Sequence, residues 1–249
     1  MHAVAVAPPN IALIKYWGKR DRVANLPAVG SLSVTLDSLW TRTSVDFSGA
    51  RAADEVFFGG EEAPPPARGR VVRFLDRVRE QAGQRGYARV DTESNFPMGA
   101  GVASSASGFA ALSVAATRAA GLELSVRELS ALAREGSGSA ARSLFGGFVV
   151  MPVGEAGTDV VAEPLAGPEH WPLHVLVAIT AEGPKAVGST EGMERTRTTS
   201  PFYDAWVCAS PAALAQARRA VLERDFDALA AVSEHNCLMM HGLMLSAWP

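Results

Sequence analysis

Apolar and polar positions along the chain repeat in short, separated stretches. His2 to Ala7 alternates and predicts an edge strand, which Pro8-Pro9-Asn10 breaks. Ile11 to Trp17 is a second apolar, extended run, and Val34 to Leu36 a short third. Thr41 to Phe47 sets Thr43, Val45 and Phe47 at period two, a strand. Glu55 to Phe58 followed by Gly59-Gly60 predicts a hairpin. Ala63 to Arg68 reads as a proline-rich loop, and Val72, Leu75 and Val78 give helical spacing over Val71 to Ala82. Tyr87 to Glu93 reads as a strand, Asn95 to Gly101 as a glycine-containing loop, and Ser104 to Ala120 as a helix of small residues. Ser125 with Glu128 three residues on is a capping box for a helix to Arg134.

The later part of the chain is mostly helical. Gly136-Ser137-Gly138-Ser139 forms a second small-residue loop, with a short helix over Ala140 to Leu144 and a strand over Gly147 to Val153. Asp159 to Glu163 predicts a weak strand, and the run Leu173 to Thr180 a buried one. Helices are expected at Ser189 to Arg197, Pro201 to Ala209, Pro211 to Arg224 and Phe226 to Leu238, with Ser210 capping Pro211. A boundary near residue 170 divides the chain into a mixed N-terminal domain, 1–170, and a smaller C-terminal part, 171–249.

Composition narrows the class. Hydrophobic residues make up 48% and charged residues 20% of 249, the balance of an ordinary globular protein. A net charge of -3 argues against a nucleic-acid surface. No apolar run reaches membrane-spanning length and no leader pattern opens the chain, so a cytoplasmic protein with no membrane partner is expected. Cys208 and Cys237 lack metal-ligand spacing, so reduced thiols are expected and no resident metal ligands are identified. Of the 23 basic residues only Lys15, Lys19 and Lys185 are lysines. Lysine is a compact three-donor charge suited to phosphate oxygens, so these three merit notice.

Four segments could carry chemistry. In Asn95-Phe-Pro-Met-Gly-Ala-Gly-Val-Ala-Ser-Ser-Ala106, a strand, a small-residue loop and a helix start form an anion cradle. The segment reads equally as a plain helix start, and no GK[ST] follows to make a Walker loop. Ser139 and Arg142 are three apart, so one helical turn would set a hydroxyl and a guanidinium on one face as an anion clamp. Taken alone, a capped link with a solvated arginine explains them better. Lys15 interrupts the apolar run Ile11 to Trp17 and, by alternation, shares a face with Leu13 and Trp17. Such a lysine snorkels or faces a polar cleft. Lys185 and Ser189 stand in a glycine-flanked loop that locally reads as generic.

Taken in order, NIALIKYWGKRD, NFPMGAGVASSASGFAAL, LAREGSGSAARSLFGGF and PKAVGSTEGM resemble the diphosphomevalonate decarboxylase family of the GHMP-type kinase superfamily, from about Asn10 to His241. KYWGKRD and GSGSAARSLFGG are specific to this family, whereas the glycine loop alone indicates only the superfamily. The resemblance implies an α+β, two-domain GHMP-kinase-like fold. Its N-terminal domain would be ribosomal S5 domain 2-like and its C-terminal domain ferredoxin-like. It implies ATP and Mg²⁺ as cofactors and mevalonate 5-diphosphate as substrate. The 3-hydroxyl is phosphorylated, then phosphate and CO₂ leave to give isopentenyl diphosphate. A homodimer is also implied, as relatives commonly pair.

Residue by residue, the resemblance assigns Gly99, Ala100, Gly101, Val102, Ala103, Ser104 and Ser105 to the ATP-phosphate cradle. Lys185 and Ser189 belong to a loop near the nucleotide. Lys15 lies by the reacting phosphoryl group, with Tyr16, Trp17 and Lys19 in the substrate pocket. Ser137, Ser139 and Arg142 hold the substrate's diphosphate and carboxylate. Lys15 and Arg142 carry the charge stabilisation of the reaction.

Two departures matter. Ala28-Val29-Gly30 stands where the family is usually more polar. The family's late segment with an aspartate in an Asp-Ala-Gly-Pro context, which orients or deprotonates the 3-hydroxyl, has no counterpart in these 249 residues. A C-terminally shortened enzyme with an incomplete second domain is therefore expected. A related enzyme acting on phosphomevalonate or mevalonate, and a non-catalytic substrate-binding protein, stay open.

Overall fold

The computed structural model describes residues 1–97, 104–154, 160–178 and 187–248, in an α+β arrangement. Two compact units interleave along the chain: Met1–Pro9 with Asp37–Leu144, and Asn10–Leu36 with Phe145–Pro249. Packing thus groups residues 10–36 and 145–170 with the C-terminal helices, a different division from one drawn along the sequence at 170.

The first unit is built on a five-stranded sheet. β1 (His2–Ala7) lies at its edge, as the alternation predicts, and pairs antiparallel with a strand at Thr41–Asp46. That strand pairs in turn with one at Arg89–Ser94, which takes Glu55–Phe58 in parallel. Gly59 and Gly60, both at positive φ, turn the chain into the short strand Glu61–Glu62. The first helix, α1 (Pro65–Ala82), starts six residues before the Val71 that its apolar spacing predicts. The prolines read as loop occupy its first turn, where a missing N–H costs no ladder bond. α2 (Ser104–Ala119) packs its small residues on the sheet, and the predicted capping box opens α3 (Val126–Gly136). The core joins Val45, Val90, Leu75, Val78, Ala110 and Leu132. Asp54, almost fully buried, is held by two hydrogen bonds from Arg79, both at 2.9 Å, and one from the Ala88 N–H.

In the second unit four antiparallel strands line up, with the strand at Asn10–Ile14, here called β2, at one edge. Its neighbour is the buried strand Ser31–Thr35, then Phe148–Met151, then Glu163–Ala166 at the other edge. That last strand starts where the expected Asp159–Glu163 strand ends. Residue 159 itself lies outside the described residues.

Among its described residues the unit also has a short ladder between Lys19–Asp21 and Leu26–Pro27 and three helices. Ser189–Thr199 agrees with expectation. The two helices expected around Pro211 are a single one, Tyr203–Glu223, with Pro211 inside it. Ser210 caps nothing there: its hydroxyl donates to Trp206 O. Enough ladder and packing survive the single lost N–H that the chain does not break. The last helix runs Phe226–Ser246, well beyond the expected Leu238.

Val221 and Leu229 are buried with Ile14, Leu32 and Phe148, and Leu214 packs against them, while Leu238 is exposed. The predicted buried strand at 173–180 is corrected over its described part. Residues 173–178 join no ladder, and Leu176 is 97% exposed. A β-branched run becomes a strand only when a neighbouring ladder accepts it, and this segment pairs with neither edge of the sheet. Residues 179–180 lie outside the described part.

Candidate functional site

The candidate residues fall into two sets, one in each unit. In the first unit the Gly-Ser segment follows directly on α3. Ser137 ends the helix in an extended conformation, its N–H donating to Ala133 O. Ala140 N then donates to Ser137 O at 2.8 Å, which winds Ala140–Leu144 into a 3-10 turn. The turn sets the Ser137 and Ser139 hydroxyl oxygens 3.5 Å apart. Arg142 follows within the same turn, only 1% exposed.

The surroundings hold this turn in place. A side chain at Gly136 would overlap the Phe109 ring of α2. Phe109 meets Phe74 edge-on at 5.6 Å. Arg70 of α1 lies over the Phe109 ring, 4.9 Å from its centroid, and donates to Gly136 O at 3.2 Å. Arg70 is exposed overall, but local desolvation beside the Phe109 ring, and then the neighbouring Arg73, lower its pKa. Arg70 was not legible as part of this cluster, because the segment before it reads as loop.

Ser104 and Ser105 stand at the start of α2, Ser104 half-buried and Ser105 exposed. The approach to this loop is pinned: the Asn95 side chain accepts from Trp40 N at 2.8 Å and donates to Ser38 O at 2.9 Å. The cradle residues Gly99, Ala100, Gly101, Val102 and Ala103 lie outside the described residues, as does Lys185.

In the second unit, β2 ends at Ile14, so the alternation expected for Lys15 stops short of it. Trp17 is buried with Val29, Met193, Trp206 and Leu243, whereas Lys15 is half-buried. The strand that would impose a shared face on Lys15 and Trp17 has thus ended before either residue. Lys15 N donates to the Asn236 side chain at 2.8 Å, and its ammonium donates to Ala12 O at 2.9 Å. Tyr16 OH donates to Asn25 O at 3.2 Å.

Trp17 is tied on both sides. Its indole donates to Thr196 at 2.9 Å, and its carbonyl accepts from the Trp206 indole at 3.0 Å. Gly18 takes φ +103, and any side chain there would meet the Tyr203 hydroxyl. Burial raises the Tyr203 pKa. Lys19 donates to Thr190 at 3.1 Å, one residue beyond the exposed Ser189. Val29, in the stretch where the family is more polar, is a core residue here.

Among the described residues no three His, Cys, Asp or Glu side chains cluster as a metal cage. The donors at hand are hydroxyls, ammonium groups and guanidinium groups, which suit phosphate. The hydroxyls of Ser104 and Ser105 are hard oxygen donors that would suit a hard divalent cation such as Mg²⁺.

The comparisons agree with this chemistry. Residues 7–162 match the family described as "Diphosphomevalonate decarboxylase-like N-terminal domain", and residues 175–249 match "Mevalonate 5-diphosphate decarboxylase C-terminal domain". The chain is similar to a diphosphomevalonate decarboxylase of Ganoderma lucidum, 38% identical over 99% of this chain and 66% of the relative. The chain thus spans about two thirds of the length of that curated relative. A solved structure, "MDDEF in complex with MVAPP, AMPPCP and Magnesium", superposes with a TM-score of 0.91 at 39% identity, over 99% of this chain and 76% of the other. Mevalonate diphosphate decarboxylase from Staphylococcus aureus gives 0.89 at 36% identity, with the same two coverages.

Proposed function

The chain belongs to the diphosphomevalonate decarboxylase family, and from that premise we propose that it takes part in the ATP-dependent decarboxylation of mevalonate 5-diphosphate to isopentenyl diphosphate. The observation that carries the reading is the buried Arg142 on one short turn with the paired Ser137 and Ser139 hydroxyls. Such a turn suits a doubly charged, oxygen-rich group far better than an apolar ligand.

Each residue then has a task. Ser137 and Ser139 donate to the substrate's diphosphate, and Arg142 holds diphosphate and carboxylate charge. Lys15 offsets charge at the transferring phosphoryl group, and Tyr16, Trp17 and Lys19 shape the substrate side. Ser104 and Ser105, with residues 99–103, receive the nucleotide phosphates, and Lys185 and Ser189 act beside them. Mg²⁺ supplies charge neutralisation between phosphate oxygens when bound. A tertiary hydroxyl leaves poorly, and its phosphoryl ester leaves well. As the C3–O bond breaks, phosphate takes the electron pair. The bond to the carboxylate then breaks, its electrons forming the new double bond as CO₂ departs. Fixed cations beside the departing phosphate matter because negative charge develops on its oxygens in the transition state.

The substrates are charged metabolites, which supports a cytoplasmic location, and no helix among the described residues is long and apolar enough to cross a membrane. A homodimer is proposed from family membership alone. Residue 170 is kept as the proposed sequence boundary, between the two matched spans.

The test is parallel measurement of ADP and CO₂ release from mevalonate 5-diphosphate, ATP and Mg²⁺ by the 249-residue chain. Equal release supports the reading. ADP without CO₂ replaces it with a kinase, and tight substrate binding without either product replaces it with a binding protein.

A further inference from the structure

We propose that Asn236 positions Lys15 for its task by holding the Lys15 backbone. The kinetic part of this inference rests on the decarboxylase reading; the structural part does not. β2 follows its neighbour strand irregularly between Ala12 and Ile14, and Ile14 opposite Leu32 is the last pair. The Lys15 N–H therefore lies just past the ladder, beside a fully buried Ile14. A peptide N–H in such surroundings must find an acceptor, and no local turn supplies one. The acceptor is the Asn236 side chain, 2.8 Å away and 221 residues on in sequence.

Asn236 is an odd residue for its place. On the last helix the buried positions are Leu229, Val232, Asn236 and Leu243, spaced three, four and seven apart. This is an apolar stripe with a single amide in it, and Asn236 is only 1% exposed. A buried amide is costly unless it is bonded, so any aliphatic residue would pack there more simply. What the amide adds is a fixed point for the Lys15 main chain. The lysine side chain then folds over the strand irregularity, its ammonium donating to Ala12 O at 2.9 Å. One end of the residue is pinned by Asn236 and the other rests on β2. A charge that must meet a reacting phosphoryl group needs this kind of prior placement.

Only three lysines occur in the chain, so amine labelling followed by mass spectrometry resolves each of them. The experiment compares the wild-type chain with Asn236→Leu, which has no acceptor, and Asn236→Asp, which keeps one. In the wild type the Lys15 amide should exchange with solvent at least ~100-fold more slowly than that of Asp21. In Asn236→Leu the labelling rate of Lys15 relative to Lys19 should change by about tenfold. Its kcat should fall about 10- to 100-fold, with KM for mevalonate 5-diphosphate moved less than about twofold. Asn236→Asp should stay within about threefold of wild type on both measures, since an acceptor remains. Rapid exchange at Lys15 in the wild type overturns the proposal. So does a folded Asn236→Leu with unchanged labelling and kcat, or an equal loss in both variants. If Asn236→Leu fails to fold, wild-type exchange and Asn236→Asp decide. A wild-type chain that turns nothing over sinks the decarboxylase reading, while exchange and labelling still decide the placement of Lys15.

Discussion

The indole N–H of Trp206 donates to the main-chain carbonyl of Trp17 across 3.0 Å, deep within the second unit. The bond holds the chain direction between Lys15 and Lys19. Replacing Trp206 with Phe removes the donor and leaves both a buried carbonyl and a void. We expect a loss of roughly 2–4 kcal/mol, read from urea unfolding of the chain. A change below about 0.5 kcal/mol would mean that the pairing holds nothing.

Lys15 is expected to be needed for turnover and dispensable for folding. Lys15→Met should lower kcat by about 100-fold or more, the scale of removing one stabilising group from a reacting centre. The melting temperature should move little, since Lys15 is only half-buried. Matched rates of CO₂ release from variant and wild type would remove Lys15 from the mechanism.

At Gly136 the prediction concerns the clamp. Gly136→Ala drives a methyl group into the Phe109 ring, which is itself backed by Phe74. The expected cost is about 1–3 kcal/mol of stability. Weaker binding of mevalonate 5-diphosphate should accompany it, measured by calorimetry, because the Ser137 turn starts there. Intact affinity would separate the turn from the ligand.

Asp54 and Arg79 offer a test in the first unit. Their side chains are 2% and 11% exposed, and the two groups share two hydrogen bonds. Asp54→Ala leaves the Arg79 guanidinium with only the exposed Asp76 as a partner and takes the acceptor from the Ala88 N–H, and a loss of roughly 2–3 kcal/mol is expected by thermal or denaturant unfolding.

The acid limb of stability should depend on Asp46. The Ser48 hydroxyl, then the Ser48 N–H, and more weakly Arg51, hold its carboxyl down from 3.8 to about 2. A depressed acid stabilises the fold above its unfolded value and loses that effect as pH falls through its folded value. The contribution is thus complete above 3.8 and gone below about 2. Asp46→Asn should flatten the unfolding midpoint against pH between these limits, and an unchanged slope would assign the acid limb to other carboxyl groups.

Much of this was readable along the chain, and the gaps share a cause. The Ser125–Glu128 capping box, the edge strand at His2 and the double-glycine hairpin are local devices, and each formed as read. Pro211 misled because tertiary packing carries a helix through a proline that should start one. The 173–178 run misled because composition cannot report whether a neighbouring ladder exists. Ser137, Ser139 and Arg142 were legible as a motif, since one turn joins them. Asn236 was not, because its meaning lies in a bond to a residue 221 positions away. A polar residue within the stripe Leu229, Val232, Leu243 was the available signal.

The interleaving of the two units sets an order of assembly during synthesis. All of the first unit has left the ribosome once residue 144 emerges. The strands Asn10–Ile14 and Ser31–Thr35 are made early, yet their third neighbour begins only at Phe148 and their helical cover at Tyr203. At roughly 5–20 residues per second, Ile14 and Leu32 wait many seconds for that cover. For this interval the nascent chain carries a greasy two-stranded ribbon beside a finished unit. Chaperone demand should therefore peak midway through translation, and slowing the ribosome between codons 145 and 200 should raise aggregation more than slowing it afterwards.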